Sequence, residues 1–236
     1  FRTFFLNKQN MVTADATFVG AFIQAQIRGI NVKKIPLTTH YRFDVRAMVN
    51  AIDEHTKVIY IANPNNPTGT YINKQEFEWL MAEVPQHILV VMDEAYFEYA
   101  QATEDYPDSL SYQHENLIVL RTFSKSYGLA GFRVGYAIAR PEIITMMAKT
   151  RLTFEPGAFA QAAAFAALGD QEFLENSIDV VQRAKQELYT FFENKGVKYA
   201  QSAANFIMIE LKDEETAVNF TQKMLEAGVI LRHIGS

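Results

Sequence analysis

The sequence predicts an α/β protein whose central sheet is mainly parallel and covered by helices, followed by a smaller α+β unit. Three observations carry this. Short β-rich runs alternate with helix-length segments through the first two thirds of the chain, the order expected of strand–helix–strand crossings. The runs at residues 88–92 (Ile-Leu-Val-Val-Met) and 117–120 (Leu-Ile-Val-Leu) are continuously apolar, as in strands covered on both faces. After Pro156-Gly157 the texture changes to a long Ala-rich helical region with two short strand signals behind it.

The elements follow in order. Residues 14–28 read as a helix closed by Gly29, and residues 32–35 as a short strand. Asp44 caps a helix reaching Ile52, and residues 57–62 form a strand ended by Asn63-Pro64. Asn73 with Glu76 three residues on forms a capping box for a helix reaching Val84. Residues 132–139 give a further strand. A helical stretch at 159–194 breaks near Gly169-Asp170, and strand signals follow at 197–199 and 206–211. A helix from Glu214 to Ala227, a Gly228 stop and an apolar run at 229–231 close the chain. The division expected is a large domain at 1–155 and a small one at 156–236. Because the chain lacks an initiator Met and ends just after an apolar run, a piece of a longer polypeptide, cut at both ends, is expected.

Composition excludes several classes. The net charge is −5 and no clustered Lys/Arg face exists, so no nucleic-acid partner is expected. No apolar run approaches the ~20 residues of a membrane span. There is no cysteine, and His40, His55, His87, His114 and His233 are scattered without metal-ligand spacing. A cytoplasmic location is the default expectation.

Three expected strand ends carry unusual polar residues: Asn63-Pro64-Asn65-Asn66-Pro67-Thr68-Gly69, then Asp93-Glu94-Ala95-Tyr96, then Ser124-Lys125-Ser126-Tyr127-Gly128 with Gly131-Phe132-Arg133. In open parallel sheets ligands sit beyond the carboxyl ends of the strands, so these loops could share one crevice. In this order and spacing they resemble the fold-type-I aminotransferases that depend on pyridoxal 5'-phosphate (PLP). The wording at Ala204-Asn205-Phe206, Phe154-Glu155-Pro156 and residues 228–232 is most similar to the histidinol-phosphate aminotransferase branch.

The resemblance implies a role for each residue. Lys125 holds the cofactor covalently through its amine; otherwise it is a solvated surface lysine. Asp93 pairs with the cofactor's ring nitrogen; otherwise it caps the next helix. Asn66 and Tyr96 hydrogen-bond the ring's phenolic oxygen, with turn chemistry and core packing as the competing readings. Arg133 grips the cofactor phosphate with help from Ser124 and Thr122, unless it is a plain surface arginine. Phe18 stacks on the ring or packs in the core, and Arg232 holds a substrate phosphate or simply ends a strand.

The resemblance further implies the PLP-dependent transferase fold, a homodimer, and transamination of histidinol phosphate with 2-oxoglutarate in histidine biosynthesis. It also implies a phosphate-binding turn and a partner tyrosine upstream of Phe1, and a carboxylate-binding arginine downstream of Ser236. An aromatic-amino-acid aminotransferase, a phosphothreonine-type decarboxylase or a non-catalytic scaffold remain the alternatives.

Overall fold

The computed structural model describes residues 3–6 and 8–235. Its centre is a six-stranded sheet in the order β2-β1-β3-β4-β5-β6. The strands are β1 (Asn10–Ala14), β2 (Asn31–Ile35), β3 (Thr56–Ala62), β4 (Leu89–Asp93), β5 (Leu117–Thr122) and β6 (Gly135–Ile138). The first five are parallel, and β6 runs antiparallel to β5.

Side chains alternate between two cores. Val12, Ile59, Ile61, Val90, Met92 and Val119 face α2 (Val45–Asn50) and α3 (Lys74–Glu83), where Met48, Phe77 and Leu80 are fully buried. Met11, Val58, Tyr60, Ala62, Leu89 and Ile118 face α1 (Val19–Ile27) and α5 (Pro141–Ala148) through Ala21, Ala25, Ile143 and Met147. That period of two with apolar residues on both sides explains the continuous runs in the sequence. Asp44 caps α2 by accepting from the Ala47 N–H, and Asn73 with Glu76 forms the full capping box of α3.

Beyond the short α4 (Phe97–Ala100) and α5, the chain continues through α6 (Ala158–Gly169) and α7 (Gln171–Lys195). A two-stranded antiparallel sheet of β7 (Lys198–Tyr199) and β8 (Ile209–Glu210) and helix α8 (Glu214–Glu226) complete it. Asp170 separates α6 from α7 and caps the latter by accepting from the Phe173 N–H. No helix among the described residues is long and apolar enough to cross a membrane.

Four expectations need correction. Residues 14–28 are not one helix: Asn10–Ala14 is a fully buried central strand and α1 starts only at Val19. The strand expected at 132–139 is shortened to Gly135–Ile138, because a 3-10 turn takes Ala130–Phe132 and Arg133 has a left-handed backbone (φ 52°). The strand signal at 206–211 reduces to Ile209–Glu210. Residues 229–231 join no sheet; they are exposed and follow the Gly228 stop (φ 84°).

Candidate active site

With β1, β3, β4 and β5 parallel, their carboxyl ends lie on one edge of the sheet. The strand order reverses between β1 and β3, which opens a crevice there. Buried amides sew the first two loops together. The Asn65 side chain accepts from the Thr17 hydroxyl at 2.8 Å and donates to the Ala16 carbonyl at 3.0 Å. Asn63 pairs with the Ile72 backbone, and the Tyr106 hydroxyl donates to the Asn63 carbonyl at 2.5 Å. These bonds satisfy backbone that would otherwise be buried without partners.

Asp93 closes β4 on the face that packs against α1. The Tyr60 hydroxyl, on the same face of β3, donates to its Oδ2 at 2.6 Å. Loss of water pushes the Asp93 pKa up; the Tyr60 hydroxyl, the Ala95 N–H and the Lys125 charge oppose it. Burial first, and then the Asp93 charge, hold the Tyr60 hydroxyl well above its usual range, so it remains a donor. Asp93 does not cap the following helix, because Tyr96 holds the cap position of α4.

Two loops meet at Tyr96. The Asn66 amide donates to its hydroxyl at 3.2 Å, and Lys125 Nζ lies 5.2 Å from its ring centroid. Phe206 packs edge-on against the same ring at 5.2 Å, so the chain beyond α7 builds one wall. Lys125 itself is exposed, between buried Phe123 and buried Ser126. Thr122 accepts from the Ser124 N–H at 3.1 Å. Arg133 is exposed and donates to the Ala130 carbonyl at 2.8 Å, with the Ser124 hydroxyl at 3.5 Å. A left-handed arginine is uncommon, and here it turns the guanidinium back over the Ser124 loop.

Phe18 stands at the head of α1, 44% exposed, with its ring over Gly20, where a Cβ would meet it at 2.5 Å. The ring therefore lies outside the buried core. Arg232 lies in the exposed segment after α8 and makes no hydrogen bond or ion pair with another candidate residue among the described residues.

Sequence reasoning passed over three groups. Tyr60 read as one more β-former. Glu94 is fully buried and accepts from Arg121 Nε at 3.0 Å and Nη2 at 2.8 Å, while Arg121 also reaches Asp108 at 2.7 Å and stacks 3.4 Å over Phe97. Glu98 on α4 is buried and accepts from the Ser126 hydroxyl at 2.9 Å.

A partly buried carboxylate, an amide–phenol pair, a nearby amine and a hydroxyl–guanidinium pair form one donor set. It suits an aromatic cationic ring bearing a phenolic oxygen, an aldehyde and a phosphate, so these residues fit PLP. The profile of the family "Aminotransferase class I and II" matches residues 1–236, and the chain belongs to that family, whose members depend on PLP. Among curated relatives, the histidinol-phosphate aminotransferase of Geobacillus sp. (strain WCH70) is 46% identical over 98% of this chain and 63% of its own length. That of Bacillus subtilis (strain 168) is 42% identical over 98% of this chain and 64% of its own. The chain thus spans just under two thirds of the relatives it matches. Among solved structures, histidinol-phosphate aminotransferase from Sinorhizobium meliloti in complex with pyridoxal-5'-phosphate superposes with a TM-score of 0.91 at 27% identity, covering 98% of this chain and 64% of that one.

Proposed function

We propose that the polypeptide carrying this chain transfers the amino group of histidinol phosphate to 2-oxoglutarate, giving imidazole acetol phosphate and glutamate. The observation that carries this reading is the meeting of Asn66, Asp93, Tyr96 and Lys125 at the ends of three neighbouring parallel strands. The identities to histidinol-phosphate aminotransferases support the substrate.

When bound, PLP supplies an electron sink for the carbanion left at the substrate Cα. Lys125 Nζ would anchor it and would serve as the base for the proton on that Cα. Asp93 would pair with the ring nitrogen and keep it protonated. Asn66 and Tyr96 would donate to the phenolic oxygen. Arg133, Ser124 and Thr122 would hold the phosphate, Phe18 would cover the ring, and Arg232 would meet the substrate phosphate. We further assign residues 1–155 to the cofactor-binding domain and 156–236 to the smaller one, and the full-length polypeptide to a cytoplasmic homodimer, for which light scattering should give twice the monomer mass.

An absorption spectrum with added PLP tests the reading. A band that requires Lys125, is lost in Lys125→Ala, and is converted by histidinol phosphate to the pyridoxamine form is expected. A spectrum indifferent to Lys125 overturns the cofactor assignment. Equal conversion by aromatic amino acids moves the substrate assignment to that class.

A further inference from the structure

Glu98 is a buried carboxylate to which the proposed chemistry assigns no part. It lies two residues beyond Tyr96, on α4, and its Oε2 accepts from the hydroxyl of Ser126, which is fully buried and directly follows Lys125. Arg121, whose charge reaches Glu98, makes its ion pairs with Glu94 and Asp108 instead. Among the described residues, the Ser126 hydroxyl is the only side-chain donor from another residue to the Glu98 carboxylate, whose charge burial makes costly, and the bond is correspondingly hard to give up.

The placement gives this bond a use. Adjacent residues of the loop point opposite ways: Lys125 outward to the crevice, Ser126 inward to Glu98. Anchoring one fixes the direction of the other. The two ends of the bond also belong to the two loops whose relative position sets the 5.2 Å between Lys125 Nζ and the Tyr96 ring. The Glu94–Arg121 pair ties the same loops at the strand ends, but Ser126–Glu98 ties them beside the amine.

We propose that the Ser126–Glu98 hydrogen bond positions Lys125 against the Asn66–Tyr96 pair, making Ser126 and Glu98 positioning residues for the aminotransferase reaction. The inference rests on the cofactor reading above. The groups that face Glu98 are Ser126 and Arg121, with Tyr99, Tyr127 and Tyr136 nearby.

The test uses the polypeptide at the full length of its relatives, loaded with PLP, and reads the pH midpoint of the Lys125-dependent absorption band beside kcat and KM. Ser126→Ala should move the midpoint by about half a pH unit and lower kcat about fivefold, with KM for the amino donor nearly constant. Glu98→Gln, whose amide oxygen still accepts from Ser126, should stay with the wild type. Ser126→Cys, close in size but a weak donor, should fall between. A Ser126→Ala protein with an unmoved midpoint and kcat overturns the proposal, as does Glu98→Gln shifting as far as Ser126→Ala. If Ser126→Ala does not fold, an unmoved midpoint in Ser126→Cys overturns it alone. Absence of a Lys125-dependent band in the wild type removes the cofactor reading and this inference together; a normal wild-type band with unmoved variants removes only the latter.

Discussion

The Tyr60 hydroxyl donates to Asp93 Oδ2 at 2.6 Å across neighbouring strands, and it does so because both residues face α1. The bond opposes, without cancelling, the upward push that burial exerts on the Asp93 carboxyl. With a folded pKa above the unfolded 3.8, the contribution of Asp93 to stability is fully present below 3.8 and is lost as pH rises through the folded value. Asp93→Asn should therefore raise the melting temperature of the cofactor-free protein at neutral pH by roughly 2–4 °C, the shift that ~1 kcal/mol brings at this size. The advantage should vanish in acid, while cofactor-dependent turnover falls about 100-fold. Equal melting of the two proteins across the pH range would show that Asp93 carries no such cost.

Tyr60→Phe removes a donor to Asp93 and keeps the ring in its core. The carboxyl should titrate higher still in the cofactor-free protein, which carbon-detected NMR on labelled aspartate would follow. A downward move would mean that the hydroxyl opposes the charged form, contrary to its geometry.

The Glu94–Arg121 pair offers a stability test away from the amine. Arg121→Met leaves a fully buried carboxylate without its cation, a loss of about 3–5 kcal/mol in chemical denaturation. Adding Glu94→Gln should recover part of that loss, and failure to recover would place the cost in the Arg121 stack on Phe97 or its pair with Asp108 instead.

Asp53 tests the opposite sign. Lys33 foremost, then Asn10, Thr56 and the His55 N–H, hold its carboxyl below the usual range. Its contribution is present above the unfolded 3.8 and is lost as pH falls through the lower folded value. Asp53→Asn should melt below the wild type at neutral pH, with the gap closing progressively under pH 3.8. A gap that persists unchanged in acid would assign it to lost packing.

Gly69 has φ +73°, and a Cβ there would lie 2.2 Å from Ser202 Oγ and 3.0 Å from Ser202 Cα. Gly69→Ala should cost about 2 kcal/mol or more through backbone strain and displacement of the Ser202 segment, which bonds Gly69 through the Ala203 N–H. Thermal melting checks this, and a neutral result would mean the segment yields freely.

The gathering of Asn66, Asp93, Tyr96 and Lys125 could be anticipated because polar residues crowd the ends of runs that are otherwise apolar, although turn, cap, core and surface readings competed at each position. Tyr60 could not be, since an aromatic in a β-run is unremarkable until register puts it on the Asp93 face. Glu98 hid as the one polar residue of Phe-Glu-Tyr-Ala, which reads as the wet side of a short helix. The Asn10–Ala14 strand was lost because its alanine merges with a helix-favouring stretch. The reversal of β6 had a readable cause: the segment between Thr122 and Gly135 holds only a 3-10 turn and no crossover helix of the kind that usually returns a parallel strand.

The strand order has a consequence for biosynthesis. β1 sits between β2 and β3, and Lys125 leaves a strand flanked by β4 and by β6, which ends at Ile138. On the ribosome, then, more than half of this sequence must emerge before the strand that presents Lys125 can be flanked on both sides, so the approach of Lys125 to Tyr96 cannot be set by the earlier elements alone.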